Sequence, residues 1–296
     1  MSLADLTKNE IELLLERAET IKGSVVSNAS LSNKTVALLF EKPSLRTRVS
    51  FETAVHQLGG HSIVLGQQEI GIGTREPVAD IAKVLSRYVD CIVYRTFDHD
   101  NLAKLAQYAS IPVINALSDN EHPCQALADL LTIKESKGRI QDVLIAYIGD
   151  GNNVATSLAI GAITTGAIFR MACPAKYRLE PIPITPISGE RQVVSIKWFE
   201  NPTEAVTDAD VVYADVWTSM GQELEQATRI KDFSGYKVTE DLMSFAKSDA
   251  VFMHPMPAHY DQEIPAGFLD NDFSVAYDQA ENRLHVQKAL LEAIVG

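Results

Sequence analysis

The chain has 296 residues, 46% of them hydrophobic and 22% charged, with 26 basic against 39 acidic side chains and a formal net charge of -13. Such a length holds one large domain or two of roughly 150 residues each, and the negative balance excludes a general nucleic-acid or anionic-membrane surface, so any cationic site must be local. Cys91, Cys124 and Cys173 are odd in number, widely spaced and without metal-ligand pattern. They point to a reducing cytoplasm, with no disulfide and no zinc; no cofactor is expected. The opening Met1-Ser2-Leu3-Ala4-Asp5 carries no basic-then-apolar leader, and no apolar run nears about 18 residues. The expectation is a cytoplasmic protein with neither signal peptide nor membrane span.

The first element is an amphipathic helix over 8–21, with Ile11, Leu14, Leu15, Ala18 and Ile21 on one face. Strands and helices then alternate: strand 35–40, helix 46–58, strand 62–65, helix 78–88, strand 91–95, helix 99–107, strand 113–116 and helix 123–136. This βα repetition predicts a parallel sheet covered on both faces. A polar break at Lys137-Gly138-Arg139 separates it from a second strand series near 143–148, 168–173, 211–214 and 250–253, closed by a helix over 281–295. Pro174, Pro181, Pro183 and Pro186 interrupt any period between Cys173 and Val211. The fold class is therefore α/β, with two open parallel-sheet domains, one over 1–137 and one over 138–280.

In open parallel sheets ligands sit beyond the carboxyl ends of the strands, so the residues just after each strand carry the argument. The stretch Phe40-Glu41-Lys42-Pro43-Ser44-Leu45-Arg46-Thr47-Arg48-Val49 runs from strand to helix. Ser44, Arg46 and Thr47 lie at that helix start, where unpaired amide N–H groups and the helix dipole favour an anion and the guanidinium adds a phosphate-shaped donor. The alternative is that Ser44 only caps the helix and both arginines lie on its solvated face. Arg95 ends another strand, and His122 and Gln125 follow a third. Arg46, Arg95, His122 and Gln125 around one pocket would suit a small phosphorylated carbonyl compound. His122 alone could equally be a locally bonded helix-start histidine.

In the second half, Gly149-Asp150-Gly151-Asn152-Asn153 imitates the first glycines of a dinucleotide fingerprint, but Val154 stands where the third belongs and no ribose-binding acid is well placed. Asp215 ends the next strand ahead of Trp217-Thr218-Ser219-Met220-Gly221 and could receive an ammonium across the cleft, or simply cap a helix. Arg283, in the last helix, could reach the same cleft or lie on the surface.

Taken together, these residues resemble the aspartate and ornithine carbamoyltransferase family, and within it the ornithine branch. The resemblance runs through six ordered stretches: 40–52, 76–95, 122–132, 149–153, 215–223 and 279–290. It implies carbamoyl transfer from carbamoyl phosphate to the side-chain amine of L-ornithine, giving citrulline and phosphate, in a cytoplasmic two-domain homotrimer of arginine metabolism with sites between subunits. It also implies that the last helix returns to the first, carbamoyl phosphate-binding domain, and that the second domain binds ornithine. By position, Ser44, Leu45, Arg46, Thr47, Arg95, His122, Gln125, Pro255, Met256 and Arg283 would hold carbamoyl phosphate. Asn153, Asp215, Ser219 and Met220 would hold ornithine, with Arg46, Arg95, His122 and Asp215 closest to the chemistry.

Three departures from the family pattern stand out. Leu45 replaces a threonine, Gly71 falls where a glutamine or histidine usually reaches the neighbouring subunit (with Gln68 or Arg75 as stand-ins), and Pro255 replaces the ornithine branch's cysteine. His254-Pro255-Met256-Pro257 resembles the aspartate branch instead, yet the loop after Asp215 carries no arginine for a second carboxylate. Ornithine thus stands first, ahead of putrescine, lysine, an acylated ornithine and aspartate. A nicotinamide-dependent oxidoreductase and a non-catalytic ligand-binding relative are the remaining alternatives.

Overall fold

The computed structural model describes residues 2–24, 29–72, 75–184, 192–194 and 196–296. Helix α1 (Lys8–Gly23) opens on a reciprocal cap in which Thr7 Oγ1 accepts from the Glu10 N–H and the Glu10 carboxylate accepts from the Thr7 N–H. Then come β1 (Thr35–Phe40), α2 (Leu45–Gln57), β2 (His61–Gly66), α3 (Gln67–Ile70), α4 (Val78–Leu85), β3 (Cys91–Arg95), α5 (His99–Tyr108) and β4 (Val113–Leu117). The four strands form one parallel sheet in the order β2-β1-β3-β4. Helix α6 (Pro123–Lys137) leads out of it and ends at Gly138, whose left-handed φ of 69° closes the helix without a Cβ clash.

The second half contains β5 (Leu144–Ile148), α7 (Asn153–Thr165), β6 (Ile168–Ala172), the antiparallel pair β7 (Ile182–Ile184) and β8 (Gln192–Val194), β9 (Lys197–Phe199), α8 (Pro202–Val206), β10 (Val211–Ala214), α9 (Gln226–Asp232), α10 (Glu240–Met243) and β11 (Val251–Met253). Its parallel sheet runs β11-β10-β5-β6-β9. The last helix, α11 (Ala276–Val295), packs back on α6, α1 and α2. One apolar core spans the second sheet and continues through α7 and α6 into α1 and Leu3, while two smaller cores cover the two faces of the first sheet. The halves are thus joined by buried side chains as well as by the chain.

Strand order places the crevices. In the first sheet the order reverses between β1 and β3, and in the second between β10 and β5. Ligands settle at such switch points, beyond the carboxyl ends. The segments that emerge there are Lys42–Thr47 and Arg95 on one side, and Gly149–Asn153 and Asp215 on the other.

The short elements α3, β7, β8, α8, α9 and α10 and the edge strand β9 have no counterpart in the sequence expectation, and three longer elements differ from it. The last helix starts at Ala276 rather than 281, because the face it buries is polar at helical spacing: Gln279, Asn282, Arg283 and Gln287 are all buried, which hides the apolar period. Helix α7, which the sequence did not suggest, is apolar nearly all round and sandwiched between α6 and the sheet, so it shows no amphipathic stripe. Helix α4 stops at Leu85, short of 88, with the Ser86 hydroxyl donating back to the Ala82 carbonyl. Within the proline-rich 174–194 stretch, 185–191 lie outside the described residues.

Candidate active site

A cavity of about 310 Å³ opens between the two sheets, lined by both halves. The residues expected to hold the two substrates all line it, Ser44, Leu45, Arg46, Thr47, Arg95, His122, Gln125, Pro255, Met256 and Arg283, with Asn153, Asp215, Ser219 and Met220, whereas Arg48, Gln68, Gly71 and Arg75 do not. Lys42, Asn152, Thr218 and His259 line it too and were missed. Lys42 follows β1 directly, and Asn152 immediately precedes Asn153 at the start of α7.

The first wall is cationic. Ser44 caps α2, its hydroxyl accepting from the Thr47 N–H at 3.2 Å. The two arginines of that turn part company: Arg46 faces the cavity, whereas Arg48 pairs with Glu52 at 2.7 Å on the exposed face of the helix. Arg95 is buried and aimed by its Nε donating to the Lys42 carbonyl at 3.2 Å. Arg283 comes from the last helix, donating from Nη1 to Gln125 Oε1 at 2.6 Å and from Nη2 to Thr47 Oγ1 at 3.2 Å. Burial, and then the neighbouring Arg283 and Arg46 charges, bring the Arg95 guanidinium down to about 9. Arg46 and Arg283 are likewise lowered, chiefly by burial. Three guanidiniums that disfavour one another form a site that an anion would stabilise.

His122 is the N-cap residue of α6 but does not cap it with its ring; its backbone N–H donates to Ser157 Oγ at 2.9 Å. The ring Nδ1 is buried and has no hydrogen-bond partner among the described residues. Burial, then Arg283, Arg95 and Lys42, hold the imidazole well below its usual value. His122 is therefore neutral at ordinary pH, with one N–H to offer an oxygen.

The opposite wall is acidic. Asp215 is buried, and its three donors are all neutral: the Tyr147 phenol at 3.0 Å and Asn152 Nδ2 at 2.7 Å on Oδ2, and the Val216 N–H at 2.8 Å on Oδ1. Burial raises its pKa, so the ionised carboxylate gains from a cation brought to it. Asp215 caps no helix. Asn152 rather than Asn153 caps α7, accepting from the Val154 and Ala155 N–H groups. Asn153 instead crosses the cleft, donating from Nδ2 to the Ser118 carbonyl at 2.6 Å. Arg229 stabilises this wall from behind through a 2.8 Å ion pair with Asp150.

The glycines of the 149–153 turn serve close packing. A Cβ on Gly151 would stand 2.6 Å from the Tyr177 carbonyl oxygen and 2.7 Å from the Leu179 nitrogen, and one on Gly149 would stand 3.2 Å from the Asp215 carbonyl oxygen. The passing backbone of 177–179, not a pyrophosphate, occupies the place that glycine leaves open. Gly71 has a comparable cause: φ is 57° and a Cβ would meet Arg75 Cβ at 2.7 Å. Near the second sheet, Met256 holds a left-handed φ of 53°, with its N–H donating to His254 Nδ1 at 2.9 Å. His254 Nε2 meets the buried Glu263 at 3.2 Å. A second cavity, of about 440 Å³, adjoins the first past Lys42, whose ammonium pairs with Asp119 at 3.0 Å and lies 4.4 Å from the Phe97 ring centroid.

Two parallel α/β domains that meet at their switch points, cationic on one side and acidic on the other, define a two-domain class built to bring an anion and an ammonium-bearing compound together. Its family follows from comparison. Residues 1–135 match the model "Aspartate/ornithine carbamoyltransferase, carbamoyl-P binding domain" and residues 141–294 the model "Aspartate/ornithine carbamoyltransferase, Asp/Orn binding domain". The chain belongs to the aspartate/ornithine carbamoyltransferase family. It is 45% identical over 300 residues to an ornithine carbamoyltransferase of Archaeoglobus fulgidus, covering 100% of this chain and 97% of that one. An ornithine carbamoyltransferase of Bacillus subtilis is 48% identical over 297 residues, covering 100% and 93%. Among solved structures, the ornithine carbamoyltransferase of Pyrococcus furiosus superimposes with a TM-score of 0.91 at 46% identity, over 99% of this chain and 96% of that one.

Proposed function

We propose that the protein transfers the carbamoyl group of carbamoyl phosphate to the side-chain amine of L-ornithine, giving L-citrulline and phosphate. The observation that carries this reading is the facing of three guanidiniums and a helix N-terminus against a buried aspartate whose donors are all neutral. Phosphate docks at Ser44–Thr47 with Arg46, Arg95 and Arg283, and the carbonyl oxygen takes the Arg46, Thr47 and His122 donors. The backbone at Pro255 and Met256 holds the carbamoyl nitrogen end, while Asn153, Asp215, Ser219 and Met220 hold the amino acid. The ammonium gives one proton to solvent, the neutral amine attacks the carbonyl carbon, and its second proton departs with the leaving phosphate. A tetrahedral oxyanion forms among preorganised donors, and phosphate leaves against Arg46 and Arg95. No covalent enzyme intermediate is needed.

Residues 1–137, joined by the last helix, form the carbamoyl phosphate-binding part in this reading, and 138–280 the ornithine-binding part. The enzyme works in arginine metabolism, in the cytoplasm, as a homotrimer. Exposed apolar side chains on the first half, Leu45, Val49 and Ile63, support association. Similarity to relatives named for ornithine favours that amine over putrescine, lysine, acylated ornithine or aspartate.

The test is phosphate release with these five amines side by side, corrected for spontaneous breakdown of carbamoyl phosphate. Ornithine is expected to lead by about a hundredfold in kcat/KM, roughly 2.7 kcal/mol of transition-state preference. A lead by another amine would overturn the acceptor and mark Pro255 and its neighbours as a changed pocket.

A further inference from the structure

Behind the cationic wall lies a carboxylate that no step above uses. Asp129 is on α6, one turn after Gln125, and is fully buried. Its Oδ1 accepts from Gln125 Nε2 at 2.8 Å and from Gln279 Nε2 at 2.7 Å, and its Oδ2 accepts from the Tyr213 phenol at 3.1 Å. Three elements meet at this one side chain: α6 of the first half, β10 of the second, and the returning α11.

We propose that Asp129 is a positioning residue that, through two carboxamides, aims Gln125 and the His254–Pro257 turn at the carbamoyl phosphate site; this rests on the function proposed above. A carboxamide can turn over and exchange its oxygen for its NH2, and in a buried site only its partners decide which end points where. An acceptor-only carboxylate takes both NH2 ends. The oxygens must then face outward, Gln125 Oε1 to Arg283 Nη1 at 2.6 Å and Gln279 Oε1 to the His254 N–H at 2.8 Å. Turned over, Gln125 would press an NH2 against a guanidinium, donor against donor. Arg283 would then lose the contact that aims its fork, whose other arm donates to Thr47. The second arm holds the start of the turn in which Met256 keeps its left-handed φ of 53°. Burial raises the Asp129 carboxyl to about 7, but Oδ1 accepts whether or not Oδ2 carries a proton, so the aim does not depend on charge.

The experiment compares Asp129→Ala, Asp129→Asn and Gln279→Met with wild type. It measures KM for carbamoyl phosphate and for ornithine, and Kd for inorganic phosphate. Asp129→Ala is expected to raise carbamoyl phosphate KM and phosphate Kd at least tenfold, with ornithine KM at saturating carbamoyl phosphate changed less than threefold. Asp129→Asn keeps the shared acceptor and is expected to recover both to within threefold of wild type. Equal rises in both KM values, no rise at all, or an Asn variant no better than Ala would overturn the proposal, since a purely structural residue would behave so.

Gln279→Met cuts the arm to His254, together with the 3.1 Å donation from Gln279 Nε2 to the Tyr213 phenol, and leaves the Gln125 arm in place. It is expected to raise carbamoyl phosphate KM at least fivefold with phosphate Kd held within threefold. If Asp129→Ala does not fold, an unchanged KM in Gln279→Met overturns the proposal. Absence of wild-type turnover with any amine would defeat the function itself, and the phosphate Kd values would still decide the role of Asp129.

Discussion

Tyr147 and Tyr213 lie in register on neighbouring strands with ring centroids 5.4 Å apart, and each donates its phenol to a different buried aspartate. Tyr147 serves Asp215 on the acidic wall, and Tyr213 serves Asp129 behind the cationic wall. One stacked pair on the second sheet thus supports both sides of the cleft.

Asp215→Asn should act on the amine. The Tyr147 phenol and the Asn152 amide would still have an oxygen to donate to, so the fold persists while the charge that attracts an ammonium is lost. Ornithine KM is expected to rise at least tenfold with carbamoyl phosphate KM within threefold, read from steady-state kinetics in both substrates. Equal loss in both would count against the role.

Arg46→Ala should abolish transfer with little effect on folding, because the Arg46 side chain faces the cavity and makes no hydrogen bond among the described residues. Removing one donor from an oxyanion site lowers kcat by about 10²–10³. Turnover above a tenth of wild type, with unchanged thermal unfolding, would refute its assignment.

Arg283→Met should separate stability from activity. Arg283 is a buried cation near Arg95 and Arg46, and replacing it with an apolar side chain of similar length relieves burial and like-charge repulsion. The apo variant is expected to melt higher than wild type while losing carbamoyl transfer. Inorganic phosphate at 100 times its Kd should stabilise wild type by about 2.7 kcal/mol, and the variant far less at the same concentration, in thermal-shift titrations.

The Asp129 carboxyl, held near 7 in the folded protein against 3.8 as its ordinary value, binds its proton more tightly folded than unfolded. Its contribution is therefore fully present below pH 3.8 and is lost as pH rises through about 7. Asp129→Asn cannot ionise, so its stability relative to wild type should grow between pH 5 and pH 8, by an amount on the order of 3 kcal/mol at most. Urea unfolding at the two pH values measures it; a constant or shrinking difference would contradict the burial argument.

Gly151→Ala should destabilise without touching the chemistry directly. The added Cβ meets main-chain atoms of Tyr177 and Leu179 that cannot rotate away. A loss of about 1–3 kcal/mol is expected in urea unfolding. Stability equal to wild type would show that the 177–179 segment yields.

The chain's periodicities made most of the first sheet legible. β1 and β3 were read to the residue, since buried parallel strands show as short apolar runs. The rule that function collects after such strands found the cationic wall, and the family resemblance added the turn at Pro255–Met256. Helix α7 escaped because it is apolar nearly all round. The start of α11 escaped because its buried face is polar, and of those buried polar residues Arg283 reaches the cavity while Gln279 bonds Asp129 and His254 behind it.

By itself the sequence determined the alternation of strands and helices, and with it two parallel sheets whose carboxyl ends would carry the polar residues, because strand and helix periods are local properties of the chain. Only the tertiary structure decided which of those residues share a cavity and what holds them. It turned Arg46 inward and Arg48 outward on the same helix, gave Asp215 to Asn152 and Tyr147, and brought Arg283 to Gln125 across 158 positions of chain. It also made Asp129 the junction of three elements. Such partnerships are set by the packing of distant segments at ångström range, and no local period in the chain records them.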